Sequence, residues 1–390
     1  MMGEFSKWVA CWGNATSIRD QTDCTYTKDL TLRYPLRMCF SGDAVRIRFS
    51  NIRGTEPVRF TASCAYGTGD KTIDTGSVRD ILFDGSRDLV LQPGEERQSD
   101  VIEMDIQAQD TLTVSMYMKD YTQMNSAVLI TGPLSKGFYS YGDHEKEEGL
   151  PLDLTRKTGW FTFLNTVDIH TSEENHAVIC YGDSITAQDW PDWLSLRIEK
   201  EGPHNVSIIR RAISGTRILR EYDSITYAAY GTKGELRFPL EMNTAGADTV
   251  LIQHGINDII HPVGTDVNPF RPWSDLPAAE ELAAGVSGYY LDHAEALGLT
   301  VYAGTLLPIK GWRTHAPFRD ELKDRFNDWL RTEKRFAGCA DFDMALRDPD
   351  DPEAFAPHYD SGDHLHPSDA GYKAMADTAY ECLFSGRGGR

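Results

Sequence analysis

The fold of the chain can be predicted from one stretch, Ala177–Asp189, which reads Ala-Val-Ile-Cys-Tyr-Gly-Asp-Ser-Ile-Thr-Ala-Gln-Asp. Its apolar first part, Ala177–Tyr181, has the length and composition of a buried strand. The strand pattern ends abruptly at Gly182-Asp183-Ser184, and a stretch with helical spacing begins near Trp190. A strand, a tight turn and a helix in this order lift a serine hydroxyl out of the edge of a sheet. Ser184 is therefore the first candidate nucleophile.

From His176 onward, strand patterns and helix patterns alternate along the chain. The helix predictions depend on apolar residues three and four positions apart, as in Leu322, Phe326 and Leu330. Such alternation indicates an α/β domain built on a doubly wound parallel sheet. The predicted strands are Ala177–Tyr181, Val206–Ile213, Thr249–His254, Thr300–Leu306 and Ala340–Met344, and the predicted helices are Pro191–Lys200, Ala278–Leu297, Phe318–Lys334 and Ser368–Phe384.

The first third of the chain has the pattern of an all-β domain. Val45–Phe49 alternates apolar and basic residues, and Leu112–Met118 repeats the alternation with Thr, Ser and Tyr between the apolar positions. Turn signals such as Pro93-Gly94 separate these runs. Short strands with this punctuation predict a β-sandwich. Such a domain either binds carbohydrate and shapes the substrate site or serves as a packing scaffold, and the sequence leaves both readings open.

The predicted domain division falls before the α/β pattern begins. Residues 131–158 are rich in Gly, Ser and charged residues, and we interpret them as the surface connection between domains. Trp160–Leu164 is predicted as a strand at the seam. We therefore expect an N-terminal β-sandwich domain with its linker over residues 1–170 and an α/β domain over residues 171–390.

The composition is that of a globular protein with an acidic surface. Of 390 residues, 41% are hydrophobic and 25% are charged, and the formal net charge is −20. This charge argues against nucleic acid and anionic membranes as partners, because both require clustered Lys and Arg. It fits a neutral or cationic substrate, although solubility alone explains it equally well.

The sequence also bears on localisation. Met1–Lys7 lacks the basic start and apolar core of a signal peptide, and no apolar run has the length of a membrane span. The seven cysteines are scattered without CxxC spacing, which is typical of reduced thiols in the cytoplasm. A bridge between Cys11 and Cys24 is the alternative. We therefore expect a cytoplasmic protein with no membrane contact.

Candidate reactive residues collect where strands end, as expected for a doubly wound sheet. Each of these stretches is common in ordinary turns and helix caps, but their joint position at strand ends indicates a catalytic site. The four stretches are Gly182-Asp183-Ser184, Ile213-Ser214-Gly215-Thr216, Gly255-Ile256-Asn257-Asp258 and, before the last helix, Asp363-His364-Leu365-His366.

Together these stretches resemble the motif blocks of the SGNH (GDSL-type) hydrolase family. The blocks occur in order over about the C-terminal half of the chain, which makes the resemblance specific. It implies a flavodoxin-like, doubly wound parallel sheet of five strands. The start Trp8–Gly13 also resembles the branch of this family in which a β domain precedes the hydrolase domain.

The resemblance and the chemistry imply a role for each residue. A serine hydroxyl needs a base, which His366 would be, and Asp363 would hold the imidazole in the required tautomer. Attack by Ser184 on an ester carbonyl creates an oxyanion, which requires hydrogen-bond donors. The N–H groups of Ser184 and Gly215 and the side-chain amide of Asn257 would supply them. No metal or organic cofactor is implied.

Other polar residues nearby have competing interpretations. Asp363, His364 and His366, with Asp360 close by, could be read as a metal cluster, and His254 and His261 are further possible ligands. A tight site needs more ligands at suitable spacing, so we expect no metal. Asp183 and Asp258 are interpreted as carboxylates that brace the loops by accepting hydrogen bonds.

Two tryptophans are the candidate substrate-binding residues. Trp273 and Trp312 follow the third and fourth predicted strands and could stack on a sugar ring. Trp193 has helix-core spacing, which favours packing. The segment Tyr222–Thr244 is rich in Tyr and Gly, and it forms either a wall of the site or an irregular surface excursion.

We therefore expect a serine esterase that forms an acyl-enzyme on Ser184. The favoured substrate is an O-acetyl ester of a carbohydrate, either an oligosaccharide or a small glycoside. The alternatives are a lipase, thioesterase or arylesterase acting on other acyl esters, and a non-catalytic glycan-binding protein on a hydrolase scaffold. The sequence identifies neither the sugar nor the oligomeric state.

Overall fold

The structure is a computed structural model that describes residues 5–19, 26–222, 230–264 and 271–385. It divides into two compact units, with the first ending at Ala177 and also taking in His204–Ile209 and Thr244–Gly246. The remaining residues form the second unit. No helix within the described ranges is long and apolar enough to cross a bilayer.

The first unit is all-β, and its sheets are antiparallel. A seven-stranded sheet has the order β15-β14-β4-β11-β6-β7 with β8 beside β6, and a five-stranded sheet has the order β1-β17-β5-β10 with β9 beside β5. The strands are β1 (Lys7–Gly13), β2 (Ser17–Ile18), β3 (Tyr26–Thr27), β4 (Leu30–Arg37), β5 (Gly42–Ser50), β6 (Val58–Tyr66), β7 (Arg79–Asp80), β8 (Leu89–Leu91), β9 (Glu96–Gln98), β10 (Ile102–Ile106), β11 (Thr111–Met118), β12 (Thr122–Gln123), β13 (Ser126–Leu129), β14 (Gly137–Tyr141), β15 (Arg156–Thr158), β16 (Trp160–Thr162) and β17 (Leu164–Thr171).

The alternation seen in the sequence produces the core between the two large sheets. Val45, Ile47 and Phe49 of β5 are fully buried, whereas the arginines between them are not. Phe49 packs edge to face on Phe60 of the opposite sheet, with ring centroids 5.4 Å apart. Packing of two sheets through alternate residues confirms the all-β prediction for this region.

The predicted connection over residues 131–158 is not a plain loop. It contains β14 and β15, and β14 pairs with β4 inside the seven-stranded sheet. The Gly-rich, charged composition concealed this strand, although Phe138 is buried as a strand residue would be. Cys11 is also buried, and its sulfur accepts the N–H of Cys39 at 2.9 Å. Cys24 lies outside the described residues, so its bridge to Cys11 stays a prediction.

A parallel sheet follows along the chain, and its five strands have the order β19-β18-β20-β21-β22. This is the flavodoxin-like order, and it confirms the predicted fold class. The strands are β18 (His176–Gly182), β19 (Val206–Ala212), β20 (Ala247–Gln253), β21 (Thr300–Gly304) and β22 (Gly338–Ala340). The helices are α1 (Ser184–Ala187), α2 (Trp190–Glu201), α3 (Gly234–Glu241), α4 (Ile256–Ile260), α5 (Ala279–Gly285), α6 (Asp292–Ala296), α7 (Pro317–Thr332), α8 (Phe342–Leu346) and α9 (Asp369–Phe384).

Two predicted elements differ from those in the structure. The predicted strand Ala340–Met344 is a short strand followed by helix α8, because the Asp341 side chain accepts the N–H of Met344 and caps the helix. The predicted helix Ala278–Leu297 is interrupted by a π-helical turn, Val286–Leu291, between α5 and α6. The other strand and helix predictions in this unit lie within a few residues of the observed bounds.

Candidate active site

The turn at the end of β18 presents Ser184 through close backbone packing. A Cβ on Gly182 would lie 2.3 Å from the carbonyl oxygen of Gln253 on the neighbouring strand, so only glycine fits there. The Gly182 carbonyl accepts the N–H of Ile213, which holds the turn beside the end of β19. Helix α1 begins at Ser184, and its cap is Asp183, whose side chain accepts the N–H of Ile185 at 3.1 Å.

The three residues predicted as a catalytic triad form one hydrogen-bonded chain. Ser184 Oγ lies 2.9 Å from His366 Nε2, and His366 Nδ1 lies 2.7 Å from Asp363 Oδ2. If Asp363 is a carboxylate, it can only accept, so Nδ1 carries the proton and Nε2 faces the serine hydroxyl as an acceptor. The imidazole is thereby in the tautomer that general-base catalysis requires.

Asp363 is an ionised group held by several donors. Its burial would raise the pKa, but hydrogen bonds from the His366 ring and from the N–H groups of His366 and Leu365 lower it well below the usual range of an aspartate. The Ser361 hydroxyl adds a further hydrogen bond at 3.1 Å. Asp363 therefore stays negative throughout the pH range in which a histidine acts as a base.

The loop that carries Asp363 and His366 is closed on itself. The Ser368 N–H donates to the Tyr359 carbonyl at 2.7 Å, and the Ser361 N–H donates to the His366 carbonyl at 3.1 Å. Within the loop, Asp360 accepts the N–H groups of Gly362 and His364. The acid and the base therefore share a single local turn.

Gly215 occupies the turn after β19 in a conformation that favours glycine, with φ of +81°. A Cβ here would lie 2.2 Å from the ring of Tyr230, so the aromatic ring packs directly over the glycine. The Tyr222 hydroxyl donates to the Gly215 carbonyl at 2.6 Å and also contacts His261 Nδ1 at 2.5 Å. Burial lowers the pKa of His261 to about 3, which keeps this imidazole neutral. These aromatic groups fix the glycine peptide.

Asn257 is held at the end of β20 by the loop that contains Gly215. Its side-chain amide nitrogen donates to the Thr216 carbonyl at 3.1 Å, and the residue is buried. An amide nitrogen carries two hydrogens, so the second remains for another acceptor. The same carbonyl contacts His254 Nε2, whose other ring nitrogen lies 2.9 Å from the Tyr290 hydroxyl. The turn of Ser184 is thus hydrogen-bonded to Ile213, just before Gly215, and Asn257 is hydrogen-bonded to Thr216, just after it.

The two remaining loop carboxylates are buried and have raised pKa values. Burial raises the pKa of Asp183 to about 7, and that of Asp258 to about 6. Asp258 accepts the N–H groups of Ile218 and Leu219, and Asp183 accepts one N–H, so both carboxyls brace loops as predicted. The second oxygen of Asp183 has no hydrogen-bond partner among the described residues.

The two predicted substrate tryptophans lie in different surroundings. Trp312 is half-buried, and its ring stands nearly perpendicular to that of His366 with centroids 6.4 Å apart. Trp273 is 64% exposed and packs against Phe318 with centroids 4.9 Å apart. Trp312 therefore lies beside His366, the general base of the predicted triad. Trp273 packs against the start of α7.

The histidines considered as metal ligands are engaged in other contacts. His364 Nδ1 lies 2.5 Å from Asp360, and its backbone has a φ of +65°. His254 and His261 bond to tyrosine hydroxyls, as described above. Within the described ranges, no group of three or more His, Cys, Asp or Glu residues is arranged to hold a metal ion.

Several residues that support the site are not predicted by the sequence patterns. Buried Arg237 on α3 donates to the Gly182 carbonyl at 2.8 Å and lies over the ring of Tyr181. Tyr222 and Tyr230 fall in the segment singled out as rich in Tyr and Gly, but residues 223–229 of it lie outside the described residues. Nothing in the local pattern links Arg237 or His261 to a serine far along the chain.

Comparison with known proteins identifies the family. The model of the GDSL-like lipase/acylhydrolase family matches residues 180–374, half of the chain. The chain belongs to this family. As a GDSL-like hydrolase, it is a carboxylic ester hydrolase, and the match includes all four motif stretches.

Solved structures similar to this GDSL-like hydrolase share little sequence with it. A putative GDSL-like lipase from Parabacteroides merdae is 17% identical over 53% of this chain and 94% of its own, with a TM-score of 0.40. Axe2, an acetylxylan esterase from Geobacillus stearothermophilus, is 18% identical over 53% and 93%, with a TM-score of 0.39. The protein YXIM from Bacillus subtilis is 13% identical over 98% and 100%, with a TM-score of 0.38. No curated protein matches the chain.

Proposed function

We propose that this GDSL-like hydrolase cleaves O-acetyl esters of carbohydrates through an acyl-enzyme on Ser184. The hydrogen-bonded chain from Ser184 through His366 to Asp363 is the observation that carries the proposal. In the first step, His366 Nε2 accepts the hydroxyl proton while Oγ attacks the carbonyl carbon. The imidazolium then gives its proton to the leaving sugar oxygen. A water molecule, deprotonated by His366, hydrolyses the acyl-enzyme and releases acetate.

The oxyanion formed in each step needs donors that are already oriented. The N–H groups of Ser184 and Gly215 and the second N–H of the Asn257 amide are the donors in this proposal. The hydrogen bond from Asn257 to Thr216 orients that amide before the substrate arrives. Loss of one such donor typically costs about 2.7–4 kcal/mol of transition-state stabilisation.

The carbohydrate part of the proposal is supported by Trp312. The Arg313 guanidinium lies over one face of the Trp312 ring at 4.4 Å. The other face of this indole, beside the general base, can stack on the ring of a sugar alcohol while its acetyl group enters the site. Substitution Trp312→Ala should raise KM for an acetylated oligosaccharide more than KM for a small aryl acetate. Equal changes for both substrates would contradict the assignment of Trp312 to the sugar.

The nucleophile is tested with Ser184→Ala and a matched control, Ser195→Ala, because the Ser195 hydroxyl donates to the Pro191 carbonyl within α2. Ser184→Ala should lower kcat on an aryl acetate by at least about 10³-fold and abolish labelling by a fluorophosphonate, and the control should retain both. Substrates with acyl chains of increasing length test the acetyl preference. A maximum at long acyl chains would favour the lipase or thioesterase alternative.

A further inference from the structure

Cys11 lies at a bulge in β1, the strand at one end of the five-stranded antiparallel sheet. The pairing of β1 with β17 matches Ala10 with Asp168 and Trp12 with Val167, so Cys11 is an extra residue between two consecutive partners. A bulge leaves its extra residue out of the ladder and changes the direction of the side chain. The Cys11 side chain is therefore available for a contact outside the sheet, although the residue is buried.

The contact is with Cys39, in the connection between β4 and β5. The Cys39 N–H donates to Cys11 Sγ over an N–S distance of 2.9 Å, and Cys39 Sγ lies 3.7 Å from the Cys11 carbonyl oxygen. Each sulfur therefore touches the backbone of the other residue, although the two are 28 positions apart in the chain. Both are thiols in the structure. Two cysteines can be bridged only where their backbones are close, and this reciprocal contact brings them close.

The surroundings of Cys11 favour its thiolate form. Burial alone would raise the pKa of the thiol, but hydrogen bonds from the Cys39 side chain and from the N–H groups of Cys39 and Phe40 outweigh burial and lower the pKa. Four other described cysteines are buried in surroundings that raise the pKa of their thiols. These are Cys64, Cys180, Cys339 and Cys382. Because the thiolate is the nucleophile in disulfide chemistry, Cys11 is the most activated of these five thiols.

The two cysteines differ in exposure, which fixes the order of the steps in an exchange reaction. Cys39 is half-buried, so its thiolate can attack one sulfur of a low-molecular-weight disulfide; the S–S bond of the reagent breaks and one small thiolate leaves. The buried Cys11 thiolate then attacks Cys39 Sγ, and the second small thiolate leaves as the protein S–S bond forms. The two thiol protons of the protein end on the two small thiols, and the reagent is reduced by two electrons.

We propose that Cys11 and Cys39 form a disulfide when the protein meets a low-molecular-weight disulfide, and that this bridge fastens strand β1 to the first unit. A bridge between segments 28 positions apart restricts the unfolded chain and so stabilises the folded one. Both cysteines belong to the first unit, whereas the predicted triad belongs to the second. The bridge therefore acts on stability and leaves the reacting groups unchanged.

Peptide mapping tests the bridge directly and separates it from the alternative pairing of Cys11 with Cys24. Trypsin cuts after Lys and Arg, which places the three cysteines in three different peptides, residues 8–19, 20–28 and 38–46. The wild type is incubated with oxidised glutathione, its remaining thiols are blocked with iodoacetamide, and the digest is analysed by mass spectrometry without reduction. We expect peptide 8–19 linked to peptide 38–46. A link from 8–19 to 20–28, a glutathione adduct that stays on Cys39, or alkylation of both Cys11 and Cys39 would overturn the proposal.

Calorimetry tests the stabilising effect of the bridge. Oxidation of the wild type should raise the midpoint of a thermal transition by about 5–10 °C, and a phosphine reductant should reverse the shift. Cys39→Ser should lose both the link and the shift, whereas the matched control Cys24→Ser should keep both. Transitions that oxidation leaves unchanged, or a shift that Cys39→Ser retains, would overturn the stabilising role.

The proposal is independent of the proposed function, because mapping and calorimetry require no substrate. With an aryl acetate, the oxidised and reduced wild type should have the same kcat, and the oxidised protein should retain more activity after heating. A loss of kcat on oxidation that Cys39→Ser prevents would show that the bridge changes the catalytic site. That result would overturn its assignment to stability alone.

Discussion

At the scale of single residues, two aspartates beside Ser184 have pKa values displaced in opposite directions. Asp363 receives hydrogen bonds from His366 and Leu365, which keep it ionised. Asp183 is buried, and one of its oxygens has no hydrogen-bond partner in the part of the chain that the structure describes, which favours its neutral form. The two carboxyls are therefore suited to different tasks. Asp363 can stabilise an imidazolium, and Asp183 braces the turn.

Substitution Asp363→Asn should lower kcat by about 10³–10⁴-fold with little change in KM, because an amide favours the wrong imidazole tautomer. Steady-state kinetics on an acetate ester measures this. Asp360→Asn is the matched control, since Asp360 lies in the same loop but faces His364. A loss of similar size in the control would show that the loop, and not the Asp363 carboxylate, is responsible.

Asp183 should make stability depend on pH. Its pKa of about 7 in the folded state lies above the value of about 3.9 for an unfolded aspartate. The folded chain therefore keeps a proton that the unfolded chain loses, so the stabilising contribution is full below about pH 4 and is lost as pH rises towards about 7.

The variant Asp183→Asn lacks this proton equilibrium. Its free energy of unfolding should rise relative to that of the wild type by up to about 1.4 kcal/mol per pH unit between about pH 4 and 7. Urea unfolding of both proteins at several pH values measures the difference. A difference that does not change with pH would mean that Asp183 titrates normally.

At the scale of elements, two glycines in turns differ in what surrounds them. Gly215 after β19 has a φ of +81° and lies under the Tyr230 ring, whereas Gly298 after α6 has a φ of +72° and open space where a Cβ would lie. Both turns require a left-handed conformation, but only the first is packed against side chains. Alanine substitutions at the two glycines therefore distinguish the cost of backbone strain alone from the cost of a steric conflict in the site.

Gly298→Ala should cost about 1–2 kcal/mol of stability and leave kcat unchanged, because it introduces backbone strain alone. Gly215→Ala should cost more stability and lower kcat by about 10²-fold or more, since its Cβ displaces Tyr230 and the oxyanion donor. Thermal unfolding and kinetics distinguish the two. Comparable kcat values for both variants would contradict a role for Gly215 in the site.

The elements also show how far the sequence predicts this structure. Strand β18 is an apolar run and β20 contains one, and Ser184 and Asn257 follow these strands closely, so both residues can be predicted from the sequence. The loop of His366 can be predicted from its position before the last helix. Ala340–Met344 alternates apolar and acidic residues, a pattern that predicts a strand, whereas Asp341 caps helix α8 in the structure. Contacts such as the one from Arg237 to the Gly182 carbonyl depend on long-range packing, which has no local signature.

At the scale of the whole molecule, the charge of −20 produces self-repulsion that salt should relieve. Raising NaCl from about 0.02 M to about 0.3 M should raise the midpoint of thermal unfolding by about 2–5 °C. Calorimetry at several ionic strengths measures this midpoint. An unchanged or lower midpoint would mean that the ion pairs at the surface outweigh the net repulsion.

The closed loop from Tyr359 to Ser368 has a consequence for how activity fails on heating. His366 and Asp363 are three residues apart and are aligned by bonds inside this loop, whereas His366 and Ser184 are 182 residues apart and are aligned only by the folded sheet. Partial opening of the sheet would therefore separate the nucleophile from a base that still holds its aspartate. Heat inactivation should thus begin with the separation of Ser184 from His366. The imidazole should keep its orientation until the loop itself unfolds.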